Sequence, residues 1–177
     1  MKHTFETGRL TLQLICPADA DFILQLLNTD GWLQFIGNKQ VYTQNDAIHY
    51  IDKILATENL YYWTVKLKPD DAPAGLVTYL KRNYLPHFDI GFAFLPCYQG
   101  TGYAFEATSA ILAYVSTKLQ HETVLAITVA GNTASIKLLE RLNFSYEKTI
   151  ETENGTLLVY ACKTNGSAIR KSVPEAG

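Results

Sequence analysis

Apolar residues along this chain change their period several times, and each change marks an element. Leu10, Leu12 and Leu14 alternate with Thr11 and Gln13 until Cys16-Pro17 stops the pattern, so a strand is predicted over 9–15. Asp19 and Asp21 then open a stretch with Phe22, Ile23, Leu26 and Leu27 on one helical face. Acidic groups favour the positive end of a helix dipole, and a helix is predicted over 18–28. Residues 31–41 read as a loop carrying Trp32 and Phe35. Thr43-Gln44-Asn45-Asp46 has the form of a capping box and leads into Ile48, Ile51, Ile54 and Leu55 at helical spacing, a second helix.

Three runs rich in strand formers follow, over 61–67, 75–80 and 88–95. Turn-forming segments join them (Lys68-Pro69-Asp70-Asp71-Ala72-Pro73 and Lys81-Arg82-Asn83-Tyr84-Leu85-Pro86), so three consecutive antiparallel strands are expected, the last ended by Pro96. Phe105, Ile111, Leu112 and Val115 support a helix over 102–119. A strand over 123–129, a helix over 134–142 and two strands near 145–150 and 157–162, around a turn at Glu153-Asn154-Gly155, complete the order. No repeat or linker interrupts it, and the succession predicts one α+β (mixed α/β) domain over 1–164. Residues 165–177 carry no period and are expected to form a C-terminal tail.

Composition narrows the functional classes. The chain has 177 residues, 47% hydrophobic and 18% charged, enough for one full core. With 15 Lys+Arg against 17 Asp+Glu the net charge is -2, which leaves no electrostatic footprint for direct nucleic-acid binding. Cys16, Cys97 and Cys162 are widely spaced and form no metal-ligand pattern, so no metal is expected and a reducing, cytoplasmic setting fits. No apolar signal core and no run of about 18 apolar residues is present, so neither secretion nor a membrane span is expected.

The chemistry-bearing segment is a strand, Phe92-Ala93-Phe94-Leu95-Pro96-Cys97-Tyr98, running into Gln99-Gly100-Thr101-Gly102-Tyr103-Ala104 at a helix start. Free amides and the helix dipole favour an anion there, and two glycines allow close backbone approach and a nest of amides. The same glycines also suit a purely structural turn, so the motif needs its context. Neither the Walker phosphate loop nor the dinucleotide fingerprint is present.

The segment resembles the GNAT N-acetyltransferase family, whose signature is Gln/Arg-x-x-Gly-x-Gly/Ala after a strand. A second match lies downstream, in Val129-Ala130-Gly131-Asn132-Thr133-Ala134-Ser135 followed by Leu138-Leu139-Glu140-Arg141-Leu142-Asn143-Phe144. The resemblance covers roughly residues 6–163. Asp89-Ile90-Gly91-Phe92 and Gly102-Tyr103-Ala104-Phe105-Glu106-Ala107 look most like the RimJ/RimL-like branch, which acetylates ribosomal-protein N-termini. The resemblance implies a mostly antiparallel twisted sheet of about seven strands with about four helices, and acetyl-CoA as the acyl donor. It also implies attack of a neutral primary amine on the thioester.

Residue by residue, it places Phe92, Ala93 and Phe94 beside the pantetheine arm, gives the pyrophosphate to the backbone amides of Gly100, Thr101, Gly102, Tyr103 and Ala104, and counts Gln99 among the cofactor-binding residues. Asn132 is implied near the pantetheine; as a residue type it equally suits a helix N-cap. Asp89 is implied as the base or water-positioning group, against a reading as an exposed strand-end carboxylate. Ser135 is implied beside the coenzyme sulfur, against a plain first-turn serine. His87 is a further proton-relay candidate that also fits a turn. Cys97 lacks an activating neighbour and reads as a small buried cysteine rather than a nucleophile.

Departures from the family pattern are specific. Leu139 stands where some relatives have a tyrosine acid, Ile127 where others have a glutamate base, and Asn143 where a glycine usually ends the helix. Asn143 still tolerates a left-handed helix end. Trp32, Phe35, Tyr42, Tyr84 and the Asn154 loop are expected walls of the acceptor pocket. A peptide N-terminus is the leading acceptor, with an amino sugar, a polyamine or an antibiotic amine open, and the assembly is a monomer or homodimer. The missing tyrosine and glutamate motivate the alternative of a non-catalytic CoA-binding regulatory or interaction module.

Overall fold

The structure is a computed structural model in which residues 1–153 and 155–164 are described. The expected tail and Asn154 lie outside the described residues. Its elements, in chain order, are β1 (Thr4–Glu6), β2 (Leu10–Leu14), α1 (Ala20–Leu27), α2 (Asp30–Phe35), α3 (Gln44–Ala56), β3 (Leu60–Leu67), β4 (Pro73–Leu80), β5 (Asp89–Phe94), α4 (Tyr103–Thr117), β6 (Thr123–Thr128), α5 (Thr133–Arg141), β7 (Ser145–Thr152) and β8 (Gly155–Lys163). The strands form one sheet in the order β1-β2-β3-β4-β5-β6-β8-β7. Every neighbouring pair is antiparallel except β5 and β6.

The mixed α/β class and the mostly antiparallel sheet agree with expectation. The counts differ: among the described residues the sheet has eight strands and five α-helices accompany it, where about seven and about four were expected. The extra strand, β1, is three residues long, too short to show a period. The extra helix, α2, occupies the segment read as a loop. It begins where the Thr29 hydroxyl accepts from the Trp32 amide, and it drives Trp32 into the core. The Thr43 capping box opens α3 as predicted, its hydroxyl accepting from the Asp46 amide.

Alternation along the strands sorts side chains to two faces. Trp63, Val65, Val77, Tyr79, Ile90 and Phe94 join residues of α4 and α5 in one core, and Phe5 of the short β1 packs edge-on to Trp63 within it. Leu76, with Ala93 beside it, faces the other way onto α1–α3. The sheet is therefore a middle layer, and no position on β5 is far from either core.

One irregularity organises the rest. The six-residue strand β5 pairs along its length with β4, and β6 does so with β8, yet β5 and β6 share a single register pair, Asp89↔Leu125. Two parallel strands that touch only at their N-terminal ends diverge toward their C-terminal ends, leaving a wedge-shaped gap in the sheet.

Candidate active site

The gap exposes main-chain groups that a continuous sheet would consume. Phe88 O accepts from Leu125 N at 2.9 Å at the closed end, whereas Leu95 N turns the other way to Ala74 O at 3.0 Å. Strand alternation therefore directs the N–H and C=O of Phe92 into the gap, while those of Ala93 serve the ladder to β4. Gln99 closes part of this edge by donating its side-chain amide to Phe94 O at 3.0 Å.

At the open end β5 runs into the glycine loop. Gly100 (φ 74°) and Gly102 (φ 84°) are left-handed, a conformation that costs other residues roughly 1–2 kcal/mol. Gly102 is the N-cap of α4 and offers no capping side chain. The first intrahelical bond runs from Glu106 N to Gly102 O, and no acceptor among the described residues takes the amides of residues 100–105. A cradle of free amides at a helix start, reached by an unpaired strand edge, fits a diphosphate followed by an amide-bearing arm. The residues present thus fit the acyl-CoA that the fold implies, and the turn reading of the two glycines holds at the same time.

Across the gap, β6 leads to α5. Asn132 is the N-cap of α5, its side-chain oxygen accepting from Ser135 N at 3.1 Å. The capping role of Asn132 is thus real, and its side-chain NH2 meets no acceptor among the described residues. Ser135 is half-buried in the first turn of α5.

Asp89 sits at the closed end, level with Leu125, whereas Ser135 lies beyond Thr128, the last residue of β6. At about 3.3 Å per strand residue, the two lie some 10 Å or more apart along the gap. They form no single constellation.

Asp89 is buried, which excludes the exposed strand-end reading. Its Oδ1 accepts from Arg82 Nε at 2.9 Å, and Arg82 in turn stands over the Tyr84 ring at 5.9 Å. Desolvation pushes the carboxyl up to about 6, against the opposing pull of Arg82 and Lys81. Desolvation also raises Tyr62, on which the charges of Arg82 and Asp89 both act, and Tyr50, whose hydroxyl neighbours that of Tyr62. Tyr50 lines an open cleft of about 570 Å3 with Lys39, Val41, Asp46, His49 and Lys53. Lys39 is lowered by desolvation and then by the Arg82 charge. A cleft on the α3 side thus adjoins the tyrosine pair that neighbours Asp89 and Arg82.

Other expected residues fall elsewhere. Of the four aromatic residues expected as acceptor walls, Trp32 is buried and Phe35 half-buried, while Tyr42 and Tyr84 are exposed. His87 is an exposed turn residue. Cys97 is exposed, correcting its reading as a buried cysteine; it stands in a surface turn after Pro96 rather than in the core. Leu139 is core, and Asn143 adopts φ 64° at the end of α5 as expected. The ion pairs of Arg82 with Asp89 and of Arg9 with Glu106 were not foreseen. The signal for both was a basic residue flanking a strand, which is common on any surface.

Comparison with known proteins agrees with this fold. Residues 9–145 match the family described as the acetyltransferase (GNAT) domain. The chain is 28% identical over 107 residues to the protein named uncharacterized N-acetyltransferase YnaD of Bacillus subtilis (strain 168), a match covering 60% of this chain and 62% of that protein. The match thus spans less than two thirds of that relative's length. In fold the chain is similar to the acetyltransferase (GNAT family) from Bacillus anthracis, with a TM-score of 0.78 at 21% identity over 92% of this chain and 99% of that one. It is also similar to the ribosomal-protein-S5-alanine acetyltransferase from Vibrio fischeri, with a TM-score of 0.78 at 18% identity over 93% and 98%. With a family match reaching from β2 to the start of β7 and a sheet split beside an amide cradle, the chain belongs to the acetyltransferase (GNAT) domain family.

Proposed function

We propose that this protein transfers the acetyl group of acetyl-CoA to a primary amine, with a peptide N-terminus as the leading acceptor. The observation that carries the reading is the gap between β5 and β6, whose free Phe92 main chain leads to the free amides at the start of α4. When bound, acetyl-CoA supplies an activated acyl thioester. The amides of residues 100–104 hold its diphosphate, and Phe92 pairs with its amide-bearing arm. Ser135, on the opposite rim, donates toward the sulfur and steadies the departing thiolate.

The amine arrives protonated, since an α-amino group has a pKa of about 8. Asp89 is the group that takes its proton, directly or through one water, because a carboxyl held near 6 is a base at neutral pH. Arg82 fixes the carboxylate and leaves Oδ2 without a donor among the described residues. The cleft lined by Tyr50 and Lys39 is the acceptor's approach. The Vibrio fischeri structure, named as acting on a ribosomal protein, supports a protein N-terminus as the first acceptor to try.

Thiol release from acetyl-CoA, measured against a panel of peptides and small amines, tests this. Acceptor-dependent release is expected, greatest with peptides bearing a free N-terminus. The replaced tyrosine and glutamate positions, Leu139 and Ile127, favour as a second reading a non-catalytic CoA-binding module. Tight acetyl-CoA binding with no release on any acceptor would support that module and overturn the enzyme.

A further inference from the structure

The amide cradle carries an electrostatic problem. Residues 96–107 contain no Lys or Arg and one charge, Glu106. A carboxylate in the first turn suits a helix N-terminus by itself, but it repels a diphosphate bound at the same end. The charge that answers it comes from the turn between β1 and β2.

Arg9 donates through Nε to Glu106 Oε2 at 2.7 Å and through its backbone N–H to Oε1 at 2.9 Å, and the Thr7 hydroxyl donates to Oε1 at 2.6 Å. Against the desolvation that would raise it, these bonds from Thr7 and Arg9 hold Glu106 below the usual carboxylate range. The carboxylate is thus fully engaged.

The guanidinium reaches further. Its Nη1 donates to Thr101 O at 3.0 Å, inside the glycine loop, and its carbon lies 4.5 Å from the centroid of the Tyr103 ring. Two of its three nitrogens and one face are committed, which fixes the plane. The third, Nη2, has no protein acceptor among the described residues. It lies 3.4 Å from where a Cβ on Gly102 would stand, beside the residue whose left-handed backbone opens the cradle. The side chain is half exposed, so solvent and ligand reach it.

We propose that Arg9 is a phosphate-binding residue of the acyl-donor site, its Nη2 donating to a diphosphate oxygen while Nε and Nη1 hold the guanidinium in register. This rests on the acyl-CoA reading of the cradle. An arginine suits the task better than a lysine, because a planar fork can serve Glu106, Thr101 and a phosphate at once.

The experiment compares CoA with pantetheine, which lacks the diphosphate, on wild type, Arg9→Gln, Arg9→Lys and the Arg9→Gln/Glu106→Gln double variant. CoA affinity is read by calorimetry at two salt concentrations, and pantetheine by chemical-shift titration, which also reports the fold. Arg9→Gln is expected to weaken CoA about ten- to a hundredfold and flatten the salt dependence, with pantetheine unchanged. Arg9→Lys falls between, and the double variant does not recover.

Unchanged CoA affinity in Arg9→Gln would overturn the proposal. Equal losses for CoA and pantetheine would do the same, because the clasp would then be structural only. Recovery in the double variant would also overturn it, by reducing Arg9 to a counter-charge for Glu106. Wild type failing to bind CoA at millimolar concentration is a separate result, which sinks the acyl-CoA reading and Arg9's role with it.

Discussion

Asp89 shows how far one side chain's behaviour is set by its place in the sheet. At the first residue of β5 it is buried at the closed end of the gap, and burial outweighs Arg82 in holding its carboxyl near 6. An acid raised in the folded state binds more protons folded than unfolded between about pH 4 and 6. Its contribution to stability is therefore greatest in acid and is lost as pH rises through 6. On the proposed role of Asp89 as the base, catalysis runs the other way, since the base form accumulates above 6. We expect kcat/KM to show a lower ionisation near pH 6, separate from that of the amine. Asp89→Asn should abolish that limb and lower kcat/KM by about a hundredfold at pH 7. An unchanged limb in the Asn variant would remove Asp89 from proton transfer. Ser135→Ala should lower kcat with little change in the acetyl-CoA dissociation constant, read by single-turnover kinetics and calorimetry; a loss confined to binding would contradict its assignment to the sulfur.

Elements were readable from the chain in proportion to their length. Leu10, Leu12 and Leu14 announce β2 by period alone, and Thr43 with Asp46 announces α3 by its cap, because both signals depend on neighbours in sequence. The three residues of β1 and the six of α2 carry no such signal, and tertiary packing of Phe5 and Trp32 decides them. The site divides the same way. Gly100 and Gly102 betray the loop because few other residues adopt those dihedrals. By contrast, Arg9 meets Glu106 across 97 positions, and nothing local marks the pair. Asp89 could be placed on a strand but not at depth, since its burial depends on where β6 stops pairing. At this scale, Asn143→Gly is expected to raise stability by a few tenths of a kcal/mol up to about 1, because φ 64° suits glycine better. Denaturant melts would check the sign, and a lowered midpoint would contradict the left-handed assignment.

For the molecule as a whole, the sheet joins the two larger cores while the break between β5 and β6 supplies the candidate site. Trp63 has no exposed surface and lies on a central strand, so Trp63→Ala should cost about 3–5 kcal/mol in urea unfolding, without regard to ligand. The gap is different: its free amides and strand edge stabilise little until something binds there, so a ligand should report on it directly. Calorimetric titration of acetyl-CoA into wild type and Gly102→Asp tests the central claim most directly, with circular dichroism confirming the fold of both. Gly102 has φ 84° and stands beside Arg9 Nη2, so an aspartate there puts a carboxylate at the proposed diphosphate site and gives Arg9 a competing partner. The account predicts saturable binding to wild type and at least a tenfold loss in the variant with the fold intact. Equal affinity in the two proteins, or no binding to wild type at millimolar acetyl-CoA, would contradict it.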